Sequence, residues 1–178
     1  MAERGQLSRE SRLRVEVAVA GAGRANVATG LSVLDHLLTL LAAYASFDLA
    51  LEIQPGTAAD EVATAGRALG EALGPVLRGD DARGYGSAAC PAEEALAHVA
   101  LEASGRPLVV TNVDLSEAHV GGLRSDFVTG FLGELADGAG LTLHVRLIEG
   151  SDARHVLEAI FKALGVALAQ ACRPRRRE

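Results

Sequence analysis

From residue 15 onward the chain moves between two hydrophobic rhythms. Val15, Val17 and Val19 alternate with other residues, and so do Phe47, Leu49, Leu51 and Ile53. A period of two puts one set of side chains on one face of a strand, so both stretches predict half-buried strands. Between them, residues 33–45 carry apolar positions at helical spacing, and a second helical pattern covers about residues 59–78. The turn at Gly21-Ala22-Gly23 leads into a short strand-like run from Asn26 to Thr29. The first half therefore reads strand, strand, helix, strand, helix.

The second half repeats this order. Arg67-Ala68-Leu69-Gly70-Glu71-Ala72-Leu73 matches Lys162-Ala163-Leu164-Gly165-Val166-Ala167-Leu168 in kind at six of seven positions, at an offset of 95. Phe47, Leu49, Leu51 and Ile53 answer to Leu141, Leu143, Val145 and Leu147 at an offset of 94. Residues 33–45 answer to 127–139, and the last helix is expected over about 152–171. Strands are expected from Ala97 to Glu102 and from Leu108 to Val113, parted by Ser104-Gly105-Arg106-Pro107. Agreement of sequence with element order marks an internal duplication. Neither half closes a core alone, which predicts an α+β fold of two duplicated halves packed together, helices covering one face of each sheet. The whole chain, 1–178, is then one domain: about 9–80, a Gly- and Asp-rich connector over 79–92, about 90–172, and a basic tail over 173–178.

Composition narrows the function. Of 178 residues, 49% are hydrophobic and 22% charged, enough for a sizeable core, which excludes a disordered chain. A net charge of −6 and 3% aromatics without tryptophan argue against nucleic-acid binding. The one basic cluster, Arg173, Arg175, Arg176 and Arg177, reads as a solvated chain end, with a partner-binding patch as the alternative. No apolar run approaches bilayer length and no secretory signal opens the chain, so a cytoplasmic protein without membrane contact is expected. Cys90 and Cys172 lack metal-type spacing and read as free thiols.

Few residues announce chemistry on their own. His155 and Glu158 share a helix face at i and i+3, a spacing that serves a metal or an ordinary solvated pair. His36 follows Asp35 in an apolar helix and reads as a boundary residue; His144 alternates with Leu143 and Val145 and reads as structural. His98 and His119 have no partner at informative spacing. No phosphate loop, dinucleotide fingerprint or nucleophile elbow is present. Lys162 is the sole lysine among 17 cationic residues, either specifically wanted or a leftover.

Taken together, Leu34-Asp35-His36-Leu37, Phe47-Asp48-Leu49, Pro91-Ala92-Glu93-Glu94-Ala95-Leu96, Ser104-Gly105-Arg106-Pro107 and Glu158-Ala159-Ile160-Phe161-Lys162-Ala163 resemble the imidazoleglycerol-phosphate dehydratase family, in family order over about residues 9–172. The resemblance implies a histidine-biosynthesis enzyme, a carbon–oxygen lyase. It would convert imidazoleglycerol phosphate to imidazoleacetol phosphate with two manganese ions held between subunits of trimers that join into a 24-subunit shell. It carries phosphate contacts onto Arg106 and Lys162, with Arg83 beside the position of a further family arginine, now Gly84. Glu10 and Glu93 stand as remnants of the substrate-facing acids.

The metal ligands depart from the pattern. The first His-His-x-x-Glu copy falls on Ala59-Asp60-Glu61-Val62-Ala63, and the second reads Arg154-His155-Val156-Leu157-Glu158. A mid-helix histidine is replaced by Gly130, so of eight expected ligands His36, His155 and Glu158 survive. A guanidinium cannot deprotonate to coordinate a cation. The expectation is a catalytically degenerate member with no manganese cofactor, retaining a site for a small phosphorylated ligand. The alternative is a divergent active dehydratase recruiting Asp60, Glu61 or Asp152 as substitute ligands. Either way a homo-oligomer, a trimer or larger, is expected, with residues 59–63 forming an ordered helix start.

Overall fold

The computed structural model describes residues 13–115, 118–120, 123–124 and 126–176. Glu10 and Arg177 lie outside them. The first half runs β1 (Arg14–Ala18), β2 (Ala25–Ala28), α1 (Ser32–Ala45), β3 (Asp48–Glu52) and α2 (Ala58–Leu77). The second runs β4 (Tyr85–Ala92), β5 (Ala95–Glu102), β6 (Leu108–Thr111), a hairpin of β7 (His119–Val120) and β8 (Leu123–Arg124), α3 (Phe127–Ala139), β9 (Thr142–Glu149) and α4 (Ala153–Cys172).

The duplication is visible in the pairing itself. The first sheet has the order β1-β3-β2, and the larger sheet contains β5-β9-β6 with β4 added outside β5. In each, the central strand is antiparallel to one neighbour and parallel to the other. Leu49 faces Val17 and Ala25; its repeat mate Leu143 faces Leu101 and Val109. Helix ends repeat too. Ser46 and Gly140 close α1 and α3 in the left-handed region at φ 55° and 72°. Thr57 and Asp152, again mates, cap α2 and α4 through side-chain oxygens that accept backbone N–H groups.

Inward faces of the strands meet α1 and α2 in the first half and α3 and α4 in the second, while α1 packs along α4 and α2 along α3. Phe47, Phe131 and Phe161 are fully buried, with the last two rings 5.3 Å apart at 40°. Glycines set the helix crossings. A methyl group at Gly70 would lie 2.6 Å from the Leu135 carbonyl oxygen, and its mate Gly165 abuts the Leu41 carbonyl in the same way. Each half thus rests a glycine of its last helix on the other half's first helix.

Expectations change at the connector, in the element order of the second half and at the tail. Tyr85–Ala92, read as part of a connector, is a full strand whose inward residues Gly86, Ala88, Cys90 and Ala92 are small. The second half consequently carries one strand and one short hairpin more than strand-strand-helix-strand-helix. Ala153–Cys172 is long and apolar enough by composition to cross a bilayer, but it is interrupted by Arg154, Glu158 and Lys162 and lies mostly buried across β4 and β5. The basic end does not trail free: Arg83 N donates to Arg173 O at 2.7 Å and Arg175 N to Asp81 O at 2.6 Å. Both cysteines are free thiols.

Candidate functional site

The starts of α1 and α4 come side by side, because the helices pack along each other. This brings His36 to Glu158, with 3.1 Å between Nε2 and Oε1. The same carboxylate oxygen is approached by Arg154 Nε at 3.4 Å, one helical turn earlier on α4. His36, Arg154 and Glu158, with Val33, Leu37 and Leu157, line a cleft of about 330 Å³.

His155 turns elsewhere, so its i, i+3 relation to Glu158 does not make a shared site. Its Nδ1 lies 2.6 Å from Glu94 Oε2, in the turn between β4 and β5. Glu94 also accepts the Asp152 N–H at 2.9 Å, which with the Glu94 N–H and His155 holds its carboxyl down to about 2. The Glu94 hydrogen bond in turn raises the His155 imidazole above its ordinary value. Reading the sequence missed Glu94 as a partner, since 61 residues separate the two and no local spacing relates them. Its neighbour Glu93 is exposed at φ 50°.

Two of the three candidate substitutes, Glu61 and Asp152, are engaged by backbone N–H groups, while the Asp60 side chain is exposed. Glu61 is buried at 5% exposure and its Oε1 accepts the Gly56 N–H at 2.9 Å. Asp60 stands in the capped first turn of α2, where residues 59–63 are helical. Asp152 accepts the Arg154 and His155 N–H groups at 2.9 and 3.2 Å. Ala59, Ala63 and Gly130 bring no donor atom. Manganese asks for several converging nitrogen or oxygen ligands, and among the described residues no three His, Cys, Asp or Glu side chains gather at a point. Within one chain, the described side chains therefore do not assemble a manganese site by themselves.

The phosphate candidates are dispersed. Lys162 Nζ donates to Pro91 O at 3.3 Å and lies 5.3 Å from the Tyr44 ring centroid. Arg106 is exposed, on a turn pinned by Ser104 Oγ and Thr142 Oγ1, both of which donate to its carbonyl. Arg83 stacks on Tyr85 at 4.2 Å in a different, larger cleft. His144 lies on the exposed face of its strand, and His98 Nε2 meets Ser87 Oγ at 2.7 Å.

Comparison with known proteins bears on this arrangement. The family model described as imidazoleglycerol-phosphate dehydratase matches residues 29–168. The imidazoleglycerol-phosphate dehydratase of Heliobacterium modesticaldum is 39% identical over 168 residues, covering 91% of this chain and 85% of that protein. That of Syntrophobacter fumaroxidans is 39% identical over 173 residues, covering 94% and 87%. The crystal structure of the Staphylococcus aureus imidazoleglycerol-phosphate dehydratase superposes with a TM-score of 0.85 at 30% identity, covering 93% of this chain and 96% of that one.

Proposed function

The chain belongs to the imidazoleglycerol-phosphate dehydratase family, and from that premise we propose that it is a histidine-biosynthesis family member that has given up manganese-dependent dehydration. It keeps the capacity to bind a small phosphorylated ligand. One observation carries the reading: Arg154 Nε lies 3.4 Å from Glu158 Oε1, while His36 occupies the same oxygen. A fixed positive charge stands where a ligand is required, and it raises the cost of bringing a divalent cation to the surviving carboxylate. Without such a cation, the negative charge that develops on an imidazole-bearing substrate loses a stabilisation of several kcal/mol.

Arg106, exposed, and Lys162, half-buried, support phosphate binding by charge, and their dispersal within one chain favours a ligand shared between subunits. We take the protein to be a homo-oligomer, a trimer or larger. Tyr85, Leu108, Val110 and Ile148, all more than 40% exposed on strands of the larger sheet, supply apolar surface for that assembly. The competing reading, an active lyase with substitute ligands, rests mainly on the exposed Asp60, because Glu61 and Asp152 would have to leave the backbone N–H groups they now satisfy.

Incubation of the purified full-length chain with manganese and imidazoleglycerol phosphate tests the proposal. No imidazoleacetol phosphate should form, while calorimetry without metal should register binding of the substrate. Turnover at ordinary enzymatic rates, or stoichiometric manganese retained through desalting, would overturn it.

A further inference from the structure

Strand β4 lies at the edge of the larger sheet, paired with β5 alone. In that pairing Ser87 faces Ala100 and His98 faces Ala89, so Ser87 and His98 are diagonal neighbours on the outer face of the sheet. Their side chains meet at 2.7 Å between Oγ and Nε2. Ser87 is exposed and His98 half-buried. A serine hydroxyl is a weak nucleophile until a base within hydrogen-bonding reach takes its proton, and an imidazole nitrogen at this distance meets that requirement.

The surroundings supply two more parts. The Ser87 N–H donates to Gln170 Oε1 of α4 at 2.9 Å. Fixing that oxygen also fixes the Gln170 side-chain NH2 close to Ser87, where a side-chain amide can donate to an oxyanion. Ser87, Ala100, Leu101, Thr142, His144 and Gln170 line an open cleft of about 550 Å³, which His98 does not line. The hydroxyl therefore stands between its base and the space that a substrate would enter. Arg146, not a carboxylate, faces His98 from β9. With no acid to orient the imidazole, the pair suits esters whose leaving group departs readily rather than amides.

We propose that Ser87 and His98 form a nucleophile–base pair that takes the acyl group from a small activated carboxylic ester. Oγ bonds the acyl carbon as its proton passes to His98 Nε2. The bond to the leaving oxygen breaks, and that oxygen takes the proton. Water, deprotonated by the same nitrogen, then attacks the acyl-serine, which releases the carboxylic acid and restores the hydroxyl. No metal enters, and His36, His155, Glu158 and Lys162 take no part.

The purified full-length chain in EDTA, given p-nitrophenyl acetate and separately a fluorophosphonate probe, tests this. Hydrolysis should exceed the buffer rate, and mass spectrometry should place the probe on Ser87. Ser87→Ala should abolish both signals. His98→Gln should slow both by about 10²-fold or more, and Gln170→Met should slow hydrolysis by about 10²-fold. Ser151→Ala, another exposed serine, should change neither. Thermal melts of each variant matching the parent separate lost chemistry from lost folding. A probe found away from Ser87, or hydrolysis that survives Ser87→Ala, would overturn the proposal, whatever the dehydration assay shows.

Discussion

His36 of α1 and Glu158 of α4, 122 residues apart in the chain, meet at 3.1 Å across the seam between the duplicated halves. The contact joins the two ends of a helix pair that packing alone already holds. His36 is exposed and Glu158 partly so, and solvent screens such pairs to about 0–1 kcal/mol. A double-mutant cycle with His36→Ala and Glu158→Gln, read by urea unfolding, should give a coupling within that range. A much larger coupling would mean the pair holds the seam together.

Arg154→His exchanges a permanent cation for a potential ligand beside His36 and Glu158. Manganese affinity, followed by loss of the free-ion resonance in electron paramagnetic spectra, should rise by about tenfold or more, since even partners behind the ligands shift metal affinity by about 10–100-fold. Unchanged affinity would show that Arg154 does not govern manganese binding.

The Glu94–His155 pair makes stability depend on pH in both directions. Glu94 is depressed from 4.5 to about 2, so its contribution is full above 4.5 and is lost as pH falls towards 2. His155 is raised above 6.5, so its contribution is full below 6.5 and is lost as pH rises through the folded value. Both operate together between about pH 4.5 and 6.5. Glu94→Gln should flatten both limbs of the urea-midpoint profile. A nuclear magnetic resonance titration placing His155 at or below 6.5 would contradict the assignment.

Gly70→Ala and Gly165→Ala should each cost about 1–3 kcal/mol, the usual range for overpacking, because each methyl would press on a backbone carbonyl of the opposing helix. Gly130 and Gly133 offer the contrast. A Cβ there meets nothing within 4 Å, and alanine in a helix is favoured over glycine by about 0.5–1 kcal/mol. Thermal melts of the four variants should divide by sign.

The periodic elements were readable in the sequence because their alternation is strong. Leu49 and Leu51 in β3, and Leu143 and Val145 in β9, announce an inward face, and α3 spans the residues its apolar spacing indicates. Strand β4 was hidden because α4 lies so close to it. A Cβ on Gly86 would collide with the Ala167 carbonyl, so the inward positions are small and the amplitude of the alternation collapses. The candidate site was legible as a list of residues and not as an arrangement. His36 and Glu158 converge through the α1–α4 packing, while His155 is captured by Glu94 from a turn that local spacing could not relate to it. The tail is exposed, as its composition indicates, but its anchors are backbone groups of residues 81–83, which leave no mark on side-chain composition.

The reciprocal rests of Gly70 on Leu135 and Gly165 on Leu41 are made from main-chain oxygens and absent methyls. Nothing in them depends on what the helix starts display to solvent. A lineage built on this seam can therefore erase its reacting groups one by one while its outline stays intact, and kinship of shape will persist long after kinship of chemistry has ended.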